Sequence, residues 1–153
     1  MPADDARLAE IIRESLEVHG LALPGTAYFD SELDHLSAFY AASPRRAYFV
    51  VVDDDDQVLG GGGIAEFVGD GRYAELQKLY LSPAAQGHGW GYLLIEQVCA
   101  FAKKAEYRQI YLETHHVLSA AVHLYEKTGF KKLTAPLAGS GHSLMDLFFL
   151  RQI

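Results

Sequence analysis

The stretch that decides the reading is Gln86-Gly87-His88-Gly89-Trp90-Gly91. A segment that reads as a strand, Ala74 to Leu81, precedes it, and an apolar pattern of helical period follows it. A helix opening there leaves its first N–H groups without partners, at the positive end of the helix dipole. Glycines remove β-carbons and let the main chain come close to an anion. Strand, glycine-rich turn and helix start together make a phosphate site.

The two common nucleotide loops do not fit. A dinucleotide fingerprint needs G-x-G-x-x-G, but the position three beyond Gly89 is Tyr92, and Ser82 to Gln86 separate the strand from the first glycine. A Walker loop needs Gly-Lys followed by Ser or Thr, which is absent.

Working outward, Ala74 to Leu81 reads as the strand before the motif, and Trp90 to Ala105 as the helix after it, with Leu94, Val98, Phe101 and Ala102 on one face. Glu75 alternates with Ala74 and so is expected to share a face with Gln77, Leu79 and Leu81, away from Leu76 and Lys78. Gln109 to Glu113 is a short strand, and Ser119 to Lys127 a helix stopped by Gly129, with Ser119 as its cap. Toward the N-terminus, Asp4 to Val18 is amphipathic, Gly20 to Phe29 breaks the pattern, and Ser31 caps a second helix running to about Ala42. Arg46 to Val52 and Val58 to Phe67 are strands joined by the acidic turn Asp53 to Asp56. The run Gly60 to Gly63 marks a bulge or a close backbone approach. Gly69-Asp70-Gly71 makes the next turn. Strands are expected at Lys131 to Leu133 and from about Leu144 to Leu150, with a loop through Gly139 to Gly141 between them. The order implies a mixed sheet with helices on both faces, an α/β layered domain.

The chain of 153 residues suits a single domain over residues 1–153. At this size folding hides roughly 68–70 % of the unfolded surface, enough for a core without metals or disulfides. Cys99 is the sole cysteine and sits in an apolar helical pattern, as a buried thiol in a reducing cytoplasm would. A formal net charge of −7 argues against sequence-independent nucleic-acid binding, which needs cations to displace phosphate counterions. It leans toward a cationic or neutral acceptor. No leader and no long apolar run stand out, so the sequence reads as that of a cytoplasmic protein without membrane attachment. A homodimer is the commonest assembly for such a chain.

Gln86, Gly89 and Gly91 fill the defining places of Gln/Arg-x-x-Gly-x-Gly/Ala, and the stretch resembles the pyrophosphate motif of the GNAT (GCN5-related N-acetyltransferase) superfamily. Leu79-Tyr80-Leu81-Ser82-Pro83 resembles the strand leading into that motif. Leu124-Tyr125-Glu126-Lys127-Thr128-Gly129-Phe130 resembles the end of the family's next helix. The likeness spans about Glu75 to Phe130. It implies a single GNAT-like domain with a mixed, mostly antiparallel sheet, splayed between the strand at Ala74–Leu81 and the strand at Gln109–Glu113. It implies acetyl-CoA as cosubstrate and transfer of its acetyl group to an amine.

The same likeness distributes roles. Backbone groups of Leu79 and Leu81 would pair with the pantetheine arm as an added strand does. Main-chain N–H groups of Gly87, His88, Gly89, Trp90 and Gly91 would hold the pyrophosphate, with Gln86 and His88 adding side-chain contacts. Tyr125 would protonate the leaving thiolate, a task for which a phenol with a pKa of about 10 is always protonated at neutral pH. Glu75 would take the acceptor's proton, helped by burial or a water chain. Many relatives carry Asn seven residues ahead of this tyrosine, where it touches the pantetheine or orders the helix; here Leu118 stands there, followed by Ser119, the cofactor-binding candidate on that helix. The family's usual first strand also precedes its first helix, while this chain opens almost inside a helix.

Tyr28, Phe29 and His142 are candidates for the acceptor pocket. A metal is not expected: His115 and His116 are adjacent and should point apart, His123 is remote, and no carboxylate is in view to complete a set. Two other readings compete with a small-amine acetyltransferase: a CoA-binding sensor without transferase activity, and an enzyme acting on protein N-termini or lysines. Retention of Tyr125 and Glu75 weighs against the sensor.

Overall fold

The computed structural model describes residues 1–67, 71–140 and 142–153. Helix α1 (Asp5–Val18) is followed by 3-10 turns at Ala27–Phe29 and Leu33–His35 and by the short α2 (Leu36–Ala41). Strands β1 (Ala47–Val52), β2 (Val58–Glu66) and β3 (Tyr73–Leu81) form a meander. Then come α3 (Trp90–Lys104), β4 (Gln109–Thr114), α4 (Ser119–Lys127), β5 (Lys131–Leu133) and β6 (Leu147–Gln152). The six-stranded sheet has the order β1-β2-β3-β4-β6-β5. Among the described residues, β3 and β4 pair in parallel and the other neighbouring strands pair antiparallel. The expected mixed, mostly antiparallel α/β sheet is therefore the one observed.

Two cores lie on opposite faces of that sheet. Leu8, Ile11, Ile12 and Leu16 of α1 pack with Leu33, Leu36 and Tyr40 on one side. Ile95, Val98, Cys99 and Ala102 of α3 pack with Leu76, Ile110, Leu112, Tyr125 and Phe149 on the other. Cys99 is a free, buried thiol, and burial pushes its pKa up.

Several local expectations change. Ser31 does not cap a helix: its hydroxyl donates to Glu32, and a 3-10 turn precedes the short α2. Ser119 does not cap α4, whose N-cap is Leu118 with no side-chain bond. The last strand starts at Leu147 rather than Leu144; the Leu144 N–H is taken by the Gly25 carbonyl at 3.2 Å instead of a strand partner. The acidic run is a hairpin tip, closed by Asp53 Oδ1 accepting from the N–H groups of Asp55 and Gln57 at 2.9 Å. Most of the Gly69-Asp70-Gly71 turn, and Gly141, lie outside the described residues. Among the described residues no strand precedes α1.

The glycines of β2 serve close approach. A β-carbon on Gly61 would lie 2.5 Å from Tyr48 Cε1, and one on Gly63 would lie 2.4 Å from Tyr40 Oη. Opposite them β3 bulges: Gly61 faces Tyr80 while Gly63 faces Gln77, three steps against two. The extra residue turns the chain at Lys78, whose φ is 51°.

A cleft at the splayed sheet with an acidic far end

The bulge overturns the simple alternation expected of β3. Gln77 accepts a hydrogen bond from Tyr40, and Lys78 reaches Asp30 and Glu32, so both face the α1–α2 layer. Beyond Lys78 the parity inverts. Leu79 packs on the α3 core and Tyr80 on the α1 core. Glu75 thus shares its face with Gln77, Lys78 and Tyr80, not with Leu79 and Leu81. A bulge that re-aims side chains beside a site is a recurrent use of this defect.

The parallel ladder between β3 and β4 covers only Tyr73–Glu75 against Gln109–Tyr111. Past it the strands part, and a cleft of about 370 Å³ opens between them. Leu79, Tyr80 and Leu81 line one wall; Glu113, Thr114, Leu118, Ser119, Leu124 and Tyr125 line the other. The splay expected between these strands is where the structure puts it.

The start of α3 closes one end of the cleft, with Gln86, Gly87, Gly89 and Gly91 in its lining. Gly87 and Gly89 adopt φ of 79° and 80°, a left-handed conformation that suits glycine. Gly89 is the N-cap and offers no side chain, so the first N–H groups of α3 stay open. Gly91 has another reason: a β-carbon there would meet Leu124 Cδ2 of α4 at 2.8 Å. The N-terminus of α4 likewise opens on the cleft through Ser119, Ala120 and Ala121. An unpaired strand edge and two uncapped helix starts facing one groove suit a ligand with amides and a diphosphate, as coenzyme A has.

Not every expected contact faces that groove. His88 is exposed and Trp90 is 37 % exposed, and neither lines the cleft. The Gln86 amide folds back to donate to the Leu81 carbonyl at 3.2 Å, engaging one of the acceptors proposed for pantetheine.

Tyr125 is buried against Phe130 and Phe149, yet its ring borders the cleft. Its hydroxyl makes no hydrogen bond among the described residues. Burial pushes its pKa well up, so it stays protonated.

At the other end Glu113 lines the cleft, and its carboxylate lies within 4.8 Å of a Glu75 oxygen and a His142 ring nitrogen, though neither Glu75 nor His142 is itself part of the lining. Burial raises the Glu75 pKa, and Gln77 bonds to its carboxylate at 3.4 Å. Glu113 accepts from Tyr111 at 2.8 Å and from Ser140. His142 Nε2 sits 3.0 Å from both Asp30 oxygens, and Asp30 lies 2.9 Å from Lys78 Nζ. Burial alone would raise the Asp30 pKa, but His142 and Lys78 outweigh it and hold the group at about 2. Tyr28 and Phe29 stand apart: Tyr28 donates to Glu17 at 2.6 Å, and Phe29 is 62 % exposed.

Glu113, Lys78 and Asp30 were not among the candidates. A signal existed for Glu113, because a strand flanking a splay should present its last residues to the gap. None existed for Asp30, which reaches the site only through the tertiary fold. The two adjacent histidines also differ from expectation. His115 and His116 stack at 4.4 Å and converge on Asp146, at 3.8 and 2.5 Å.

With this geometry in place, the comparisons with known proteins are specific. The sequence pattern of the acetyltransferase (GNAT) family matches residues 8–130. The uncharacterized N-acetyltransferase YjgM of Escherichia coli K12 is 35 % identical over 152 residues, 98 % of this chain and 90 % of that protein. A GNAT acetyltransferase of Staphylococcus aureus Mu50 superposes with a TM-score of 0.85 at 18 % identity, over 98 % of this chain and 93 % of its own. A phosphinothricin acetyltransferase of Sinorhizobium meliloti, solved in complex with acetyl-CoA, superposes with a TM-score of 0.76 at 25 % identity, over 100 % and 85 %. The chain belongs to the GNAT acetyltransferase family, and is by that membership an acyl-CoA-dependent N-acyltransferase with acetyl-CoA as its cosubstrate.

Proposed function

We propose that this enzyme acetylates the amine of a small molecule, an amino acid or a related amine, by direct attack of the amine on the thioester. The observation that carries the reading is one continuous cleft with open helix N-termini at one end, the free Tyr125 hydroxyl in its wall and the Glu113 carboxylate at the other.

Each residue then has a task. N–H groups around Gly87 to Gly91 bind the diphosphate, and the unpaired edge of β3 orients the pantetheine arm. Glu75 takes a proton from the acceptor ammonium, freeing the nitrogen lone pair. Tyr125 gives its phenolic proton to the departing thiolate and recovers one from solvent. Holding both reactants in one groove supplies much of the rate, and a strand N–H aimed at the thioester oxygen adds to it. Cys99 has no place in this scheme, being buried on α3 and outside the cleft lining.

The test is thiol release from acetyl-CoA across a panel of amino acids, monoamines, polyamines and N-terminal peptides. Turnover with small amines and none with peptides supports the proposal. Turnover with peptides alone favours a protein acetyltransferase. Tight acetyl-CoA binding with no thiol release from any amine favours a sensor.

A further inference from the structure

His142 sits in a loop, yet both carboxylate oxygens of Asp30 hold its Nε2 at 3.0 Å. Asp30 is in turn fixed by Lys78, whose side chain is only 3 % exposed and also contacts Glu32 at 3.0 Å. A residue merely filling a loop does not need such a buttress. The ring lies within 4.8 Å of two carboxylates, Glu75 and Glu113, which are themselves that close to each other. Two like charges so placed repel each other, and a nearby cation offsets that repulsion.

Among the described residues, the charged and titratable groups facing this cluster are Asp30 and Glu32 from the turns after α1, Glu75, Lys78 and Tyr80 from β3, and Glu113 from β4. Tyr40 and Tyr111 reach it through Gln77 and Glu113. Lys78 is already committed to Asp30 and Glu32. Among the described residues, two cations act on Glu75, the His142 ring and the more distant charge of Lys78, and His142 is the one whose ring lies within 4.8 Å of both glutamates.

We propose that His142, oriented by Asp30, is a positioning residue that keeps Glu75 ionised and able to accept the acceptor's proton, Glu113 sharing the same charge balance. The proposal rests on the acetyl-transfer reading for its consequence in catalysis, though not for the coupling itself. When the His142 ring is protonated, its charge offsets one of the two glutamates. When the acceptor ammonium arrives, its N–H bond breaks toward the Glu75 carboxylate, whose O–H bond forms, and the lone pair stays on nitrogen. The hydrogen bond to Asp30 favours the charged imidazole, with burial opposing it, so the ring titrates above its usual range. The charge of His142 in turn draws down the Glu75 pKa that burial raises.

Two measurements test this on the full chain. In His142→Gln, the acid limb of the kcat/KM profile should move up by roughly 1 pH unit, because Glu75 loses its neighbouring cation. In Glu75→Gln, the His142 imidazole followed by NMR should titrate at lower pH than in wild type, since coupling between two sites is reciprocal. Superimposable acid limbs, or an unmoved His142 titration, would overturn the proposal. If no amine is acetylated, the function above fails, and the NMR titration alone decides whether His142 and Glu75 are coupled.

Discussion

The hydroxyl of Tyr40 lies directly over Gly63, so close that a β-carbon there would sit 2.4 Å from it. The same hydroxyl donates to Gln77 at 2.9 Å, and Gln77 donates to Glu75. A missing side chain on β2 thus permits the contact that steadies the proposed base on β3.

Gly63→Ala should therefore destabilise the fold by about 1–3 kcal/mol, the usual cost of overpacking a filled site. Gly62→Ala is the control, since its β-carbon would meet Leu79 Cδ1 at a milder 3.3 Å. Thermal melts should show the larger drop for Gly63→Ala. Equal drops would mean that Tyr40 yields easily.

Tyr125→Phe should lower kcat by roughly 10²-fold while leaving the KM for acetyl-CoA near wild type. The ring keeps its packing on Phe130 and Phe149, so only the proton donor is lost. Unchanged kcat would remove Tyr125 from the mechanism.

Glu75→Gln should trade activity for stability. Burial raises the folded-state pKa of Glu75 above its unfolded value of 4.5. Its contribution to stability is then fully present below pH 4.5 and fades as pH climbs through the raised value. The variant should thus melt higher than wild type at pH 7.5 and equal it near pH 4, while its turnover deficit should be large at pH 7.5 and narrow toward pH 4, where the wild-type base is itself protonated. A melting difference independent of pH would contradict this account of Glu75.

The Asp30–His142 pair gives the opposite signature at each edge. Asp30 is depressed from 3.8 to about 2, so its share is present above pH 3.8 and lost as pH falls toward 2. His142 is raised from 6.5, so its share is present below pH 6.5 and lost as pH rises through its folded value. The melting deficit of His142→Gln should peak between about pH 4 and 6.5 and shrink as pH rises through the raised titration of the imidazole. Scanning calorimetry across that range checks it.

How far the sequence alone reached depends on whether a feature is local. Strands β1 to β4 and helices α3 and α4 stand where periodicity places them, because apolar spacing encodes which face each buries. The glycine-rich motif was legible since it depends on neighbours in the chain. The bulge at Lys78 was not: alternation assumes an unbroken pleat, and the defect arises from pairing with a glycine run on another strand. Asp30, Lys78 and His142 are dispersed along the chain, and only the packing of turns against β3 assembles them. Ser31 and Ser119 looked like caps because cap chemistry is common, but tertiary packing set those helix starts.

The central claim is that the open main-chain amides from Gly87 to Gly91 bind the diphosphate of coenzyme A. Isothermal calorimetry of the purified chain with coenzyme A should give a saturable one-to-one isotherm, tens of micromolar or tighter to order of magnitude, and Gly89→Val, which forces a β-branched residue into φ near 80°, should weaken it at least about tenfold. No heat with coenzyme A at millimolar concentration, or a Gly89→Val isotherm matching wild type, would contradict it.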